Sequence, residues 1–246
     1  MEMKTLLETG AAAALFALTF LVGGHVHPLR FLVRDRRVVI SFAAGMTAAY
    51  VFVRLLPELH GARESYTETT SLPLYYEGML VYFLALVGFL LFYALENLRS
   101  KLAKPANGEE GEIRAFRIHV GGFVAYVALM SYLLVHGLED EGVQTLLYAV
   151  AVALHFLGID HALRADHGAR YERFGRFVLA GACILGWMLA LAVALPEPVV
   201  ALMVAFISGG IIMNSLIEEL PSEKDGRFLP FVAGGLIYGL ILVPLG

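Results

Sequence analysis

The chain of 246 residues has one cysteine, Cys183, and only 16% of its residues are charged. A lone cysteine forms no internal disulfide, which excludes a disulfide-stapled secreted scaffold. So few charges exclude a disordered chain, whose solubility rests on charge and low hydrophobicity. No polar stretch is long enough for a soluble domain; the longest is Arg99–Arg117. What the chain has instead is apolar surface. Hydrophobic residues make up 59%, and the mean hydropathy is +0.72. Soluble domains are about 45–50% apolar and about 25% charged. A soluble fold of this size could not hide the excess, so an ordinary cytosolic enzyme is excluded too.

The apolar residues fall into eight runs, near Leu7–Gly24, Val38–Leu59, Gly78–Leu95, Ile118–Val135, Val143–Leu163, Phe177–Leu195, Val199–Ile217 and Phe228–Leu245. A bilayer core needs about 20 apolar residues in helix. The expected fold is therefore an all-α membrane protein with eight transmembrane helices in one domain, 1–246. The connection 99–117, with Pro105, Gly108 and an acidic run, reads as flexible. The short links after the fourth and sixth runs imply antiparallel neighbours.

Lys and Arg orient the spans. Lys4 and Arg63 fall on one side; the other holds fifteen, in the clusters Arg30–Arg37, Arg99–Arg117, Arg164–Arg176 and Lys224–Arg227. The basic side is cytoplasmic by the positive-inside rule. Both termini then lie outside, in a cytoplasmic (inner) or plasma membrane. A cleaved signal peptide would need a basic start, and Met1–Glu8 is barely basic.

An internal repeat joins the second and seventh runs. Phe42-Ala43-Ala44-Gly45, followed by Arg54-Leu55-Leu56-Pro57-Glu58, aligns without gaps on Phe206-Ile207-Ser208-Gly209, followed by Glu218-Glu219-Leu220-Pro221-Ser222. Both Leu-Pro pairs are expected to stop their helix. The two runs cross the bilayer in opposite senses, so the repeat is inverted. Helices one to three (about 1–98) match helices six to eight (about 173–246) around a central pair (about 116–164), a 3+2+3 arrangement. Inverted repeats are a common plan of secondary transporters.

On these residues the chain resembles the Zrt/Irt-like (ZIP) family of divalent metal transporters. The shared features are eight spans, outside termini, a cytoplasmic segment between helices three and four, and Phe-x-x-Gly with Leu-Pro in helices two and seven. The resemblance implies a divalent cation such as zinc, iron or manganese as substrate and no other cofactor. The chain departs from the family at Arg54, where a histidine is usual, and in helix four. It departs again in helix five, where His155-Phe156-Leu157-Gly158-Ile159-Asp160 keeps only the histidine. The metal site is thus expected to be eroded.

Ionisable groups at membrane depth are rare and tend to be functional. His155 reads either as a metal ligand or as a neutral histidine bonded inside the bundle. Asp160 and His161 lie ~140° and ~240° around the helix from it, so the three share no face. Asp160 and His161 still count as candidates for the metal or transport path: Asp160 reads either as that or as a structural pair with Arg164 one turn on, and His161 either as lining an inner exit or as sitting at the headgroup level. Ser131, Thr47, Tyr50, Ser208 and Asn214 are polar at depth; each reads either as a structural hydrogen-bonding group or, together with His155, as part of a polar metal or transport path between helices two, four, five and seven, with Asn214 the best further ligand candidate. Arg54 can pair with Glu58 and snorkel; with Pro57, Glu218 and Pro221 it forms the structural or gating set. His25, His27 and His119 gather near Arg164–His167 and could relay metal or protons. Glu139, Asp140 and Glu141 form an acidic mouth on the other side.

Three functions follow. The first is a ZIP-like carrier of a divalent cation. The second is a non-transporting relative that senses a ligand or binds a partner. The third is an intramembrane metal hydrolase, disfavoured because its histidines lie at different depths while a catalytic zinc needs about three protein ligands. The expected partners are the lipid bilayer and the ion, with a homodimer compatible and no nucleic acid.

Overall fold

A computed structural model describes residues 3–25, 36–69, 77–136, 143–215 and 227–245. Among the described residues nearly all are helical and none is in a strand. Long apolar runs favour this outcome, because a helix satisfies every backbone donor and acceptor within the segment. The helices are α1 (Met3–Val22), α2 (Arg36–Tyr50), α3 (Leu56–Thr69), α4 (Glu77–Leu102), α5 (Gly108–His136), α6 (Val143–Arg170), α7 (Arg176–Ala192), α8 (Glu197–Met213) and α9 (Phe228–Leu242). Windows in α1, α4, α5 and the α6–α7 run are long and apolar enough to cross a membrane; α8 and α9 are apolar but shorter.

Two connections differ from the sequence expectation, and a third runs through an irregular turn. The helix does not stop at Pro57. A π turn, Val51–Leu55, joins α2 to α3, and the Leu56 N–H donates to Val51 O five residues back. Proline lacks the N–H that an α-helix needs, and a wider turn just before it lets the helix carry on to Thr69. The stretch 99–117 is mostly helix, with α4 ending at Leu102 and α5 starting at Gly108 after a 3-10 turn, Pro105–Asn107. Gly108 at φ 58° makes that corner. Between α6 and α7 the chain bends at Gly168, at φ 50°, then passes through a second π turn, Tyr171–Gly175.

The chain forms two compact units. The first holds α1, the end of α4 from Tyr93, α5, α6 and α7. In it α7 packs on α5 and α1, and α6 on α1. Gly186 lets α7 reach the α5 backbone: a Cβ there would lie 2.1 Å from Ala128 O. Phe16 and Phe20 of α1 close on Phe156 of α6, with ring centres 5.3 and 5.4 Å apart. Several polar groups in this core find partners on their own helix or a neighbouring one. The Thr19 hydroxyl donates to Phe16 O at 2.6 Å, and Trp187 Nε1–H donates to Thr9 Oγ1 at 3.2 Å. The Tyr132 hydroxyl donates to Val193 O at 2.8 Å and accepts from Leu195 N–H at 3.1 Å, closing the end of α7.

The second unit holds α2, α3, α4 up to Phe92, α8 and α9. Leu59 and Ala62 of α3, Val81 and Ala85 of α4, and Ala201 and Ala205 of α8 form one core cluster. Four glycines bring backbones into contact. A Cβ on Gly45 would lie 2.0 Å from Phe231 O, and one on Gly234 would lie 2.1 Å from Phe42 O, so α2 and α9 interlock. A Cβ on Gly209 would lie 1.8 Å from Ala85 O, and one on Gly88 would lie 2.0 Å from Phe206 O, so α8 and α4 interlock. Small residues allow this approach, which is a main source of helix association in lipid.

Candidate functional site

The first unit carries most of the polar candidates. His155 of α6 is half-buried, and its Nε2 lies 2.8 Å from the hydroxyl of Tyr126 on α5, which is buried. Tyr126 in turn meets Phe123 edge-on, and Phe123 contacts the His119 ring. These three α5 residues follow one another at helical spacing on one face. Ser131, further along α5, is wholly buried with no hydrogen-bond partner for its hydroxyl among the described residues. The Cys183 thiol of α7 is its polar neighbour.

Asp160 is 1% exposed. Its Oδ1 accepts from the Tyr171 hydroxyl at 2.7 Å and from Arg164 Nη2 at 2.9 Å. Its Oδ2 accepts from Arg164 Nη2 at 3.0 Å and Nε at 3.2 Å. Arg164 also pairs with Glu172, which reaches Arg176 at 3.3 Å. The π turn brings Tyr171 and Glu172 back over the end of α6. Gly23 and Gly24, just after α1, close the other side: a Cβ would lie 2.4 Å from Asp160 Oδ2 or 2.5 Å from Arg164 Nη1. The carboxylate is thus surrounded by donors, and its role here is to tie α6 to the elbow before α7. His161, one residue on, is exposed.

A second polar cluster joins the end of α4, the start of α5 and the end of α6. His119 Nδ1 lies 3.0 Å from His167 Nε2. His119 Nε2 is 3.6 Å from Glu96 Oε2, and His119 Nδ1 is 3.9 Å from Asp166 Oδ2. Arg99 pairs with Glu96 and, at 3.4 Å, with Asp166. Phe116 and Phe123 pack on the two imidazoles. His119 was singled out in the sequence beside the Arg164–His167 segment. The contacts Glu96–His119 and Tyr126–His155 are not legible in the sequence, because each joins two helices and no spacing rule links their partners.

The remaining candidates belong to the second unit. Thr47 is half-buried on α2. Arg54 lies in the π turn and pairs with Glu58 at 3.5 Å, the i,i+4 pairing its position favours. Pro57 is exposed in the first turn of α3. Asn214 is buried at the end of the described α8 segment, where residues 214 and 215 are again in π geometry. Glu218 and Pro221 lie outside the described residues, as do His27 and the acidic run at 139–141.

Among the described residues no three His, Cys, Asp or Glu side chains are placed to hold one metal ion. A scan of protein-family models, a search of curated proteins and a search of solved structures each give no match to this chain. The fold defines an all-α protein with several helices apolar and long enough to span a membrane.

Proposed function

We propose that the chain is a ZIP-like secondary transporter whose substrate is a divalent metal cation. In this reading it has eight spans in a 3+2+3 inverted repeat, with both termini outside. The observation that supports it best is the duplicated glycine packing in the second unit. Phe42 and Gly45 align with Phe206 and Gly209 in the sequence repeat. Gly45 meets a carbonyl of α9 while Phe42 offers its carbonyl to a glycine of α9; Gly209 and Phe206 do the same with α4. The same reciprocal contact is thus built twice, by the helix pairs that the repeat exchanges. The π turn recurs as well, at Val51–Leu55 and at 214–215. Inverted repeats with locally irregular helices are a recurring plan of carriers that expose a site alternately to each side.

Cation handling falls to His155 with Ser131 in one unit and to Asn214 with Thr47 in the other. Neutral imidazole and amide oxygen can each ligate a divalent ion. The Tyr126 hydroxyl occupies His155 Nε2, so ligation through that atom requires the bond to open. That bond, with no three-donor set among the described residues, favours as second reading a non-transporting relative that senses a ligand.

Reconstituted protein should take up Zn²⁺, Fe²⁺ or Mn²⁺ above empty liposomes, and His155→Ala should lower the flux. Absence of flux in the wild type, with binding retained, selects the second reading.

A further inference from the structure

The cation path proposed above uses neither His119 nor His167, yet the ring nitrogens of these two histidines converge. They come from different helices, with Nδ1 of one 3.0 Å from Nε2 of the other. His119 is 4% exposed, and Phe116 and Phe123 hold the rings in place. A hydrogen bond at this distance needs a lone pair on one nitrogen, so at least one imidazole is neutral. Two imidazole nitrogens on a tetrahedral zinc, each about 2.0–2.1 Å from it, stand about 3.3–3.4 Å apart. A separation wider by a few tenths of an ångström, with a rotation of both rings that turns their lone pairs toward one point, converts the hydrogen-bonded pair into a chelating pair.

The surrounding charge favours a cation. Glu96 and Asp166 carry two negative charges against the single positive charge of Arg99. Arg170 beside His167 is itself offset by Glu112 at 3.9 Å. Asp166 Oδ2, 3.9 Å from His119 Nδ1, is the next donor within reach.

We propose that His119 and His167 form a two-imidazole site for a divalent transition-metal cation, with Asp166 completing it by a small movement and water filling the rest. Imidazole donors select Co²⁺, Ni²⁺, Cu²⁺ and Zn²⁺ over Mg²⁺ and Ca²⁺. The site is separate from His155 and does not depend on transport.

The test is metal binding by the full chain in detergent, read without flux. Co²⁺ titrated into wild-type protein should give a saturable visible absorption band that Zn²⁺ displaces and Mg²⁺ does not. His167→Gln should weaken binding tenfold or more, and Asp166→Asn several-fold. His60→Gln, an exposed histidine on α3, should change nothing. A Co²⁺ band lost in His155→Gln but kept in His167→Gln assigns the metal to His155; it overturns this site and leaves the transport reading standing. If His167→Gln does not fold, Cu²⁺ on the wild type decides. Electron paramagnetic resonance should show coupling to two imidazole nitrogens, and oxygen-only ligation overturns the proposal.

Discussion

A carboxylate with 1% exposure stays ionised only where donors surround it, and Asp160 has three from Arg164 and one from Tyr171. Removing one member of a buried pair strands the other, at a cost of about 3–5 kcal/mol. Asp160→Ala should therefore lower unfolding stability in detergent by about that much. Asp160→Asn, which keeps an acceptor for Tyr171, should cost less. Equal losses in the two variants would show that the charge, which both lack, holds the elbow and that the Tyr171 hydrogen bond adds little. His155 poses the opposite case, a group whose bond competes with function. A net hydrogen bond is worth about 0.5–1.5 kcal/mol. In the transport reading Tyr126→Phe should then lower the cation KM about 2- to 10-fold with the fold intact. An unchanged KM would make Tyr126–His155 purely structural. Pairs one helical turn apart, Asp160–Arg164 and Arg54–Glu58, were readable from spacing alone. Tyr126–His155, Tyr171–Asp160 and His119–His167 were not, because tertiary packing or a bend in the chain sets them.

Among the elements, what sequence spacing conveys well is where helices are and what it conveys poorly is where they stop. Pro57 was expected to end a helix, yet the chain continues to Thr69 because a π turn takes up the missing donor. Gly108 and Gly168, the two glycines at positive φ, mark the corners where direction changes. The glycines inside the spans carry a different meaning, and packing reveals it. At Gly45 and Gly209 an added Cβ would lie 2.0 and 1.8 Å from a neighbouring carbonyl oxygen. Overpacking of this kind costs about 1–3 kcal/mol. Gly45→Ala and Gly209→Ala should each destabilise the protein by a similar amount, because each added Cβ would meet a backbone carbonyl oxygen of a neighbouring helix. Gly121→Ala, with nothing within 4 Å of its Cβ, should instead add about 0.5–1 kcal/mol through helix propensity. Thermal unfolding of the three variants in one detergent compares them. Losses at Gly45 and Gly209 that differ by several-fold would count against a shared packing design.

For the whole molecule, the apolar excess made an all-helical, membrane-compatible fold legible, since lipid leaves a chain few other ways to satisfy its backbone. The division into two units was not legible, because it depends on which helices touch. It sets α1 with α5, α6 and α7, and it splits α4 between the units. The proposed topology is a stronger claim than the fold, and its physical basis is the placement of basic residues. It requires the end of α3 and the turn between α4 and α5 to face opposite sides of the membrane. The lone native cysteine, Cys183, is buried, so it should give little background with a membrane-impermeant maleimide. Glu68 and Ala106 are both exposed and suit reporter cysteines. Glu68→Cys should label in intact cells, and Ala106→Cys only after permeabilisation. Labelling of both from the same side would require an even number of crossings between them. That would remove the third span, reverse the inferred sense of every later helix, and with it the inverted relation between α2 and α8 on which the transporter reading leans.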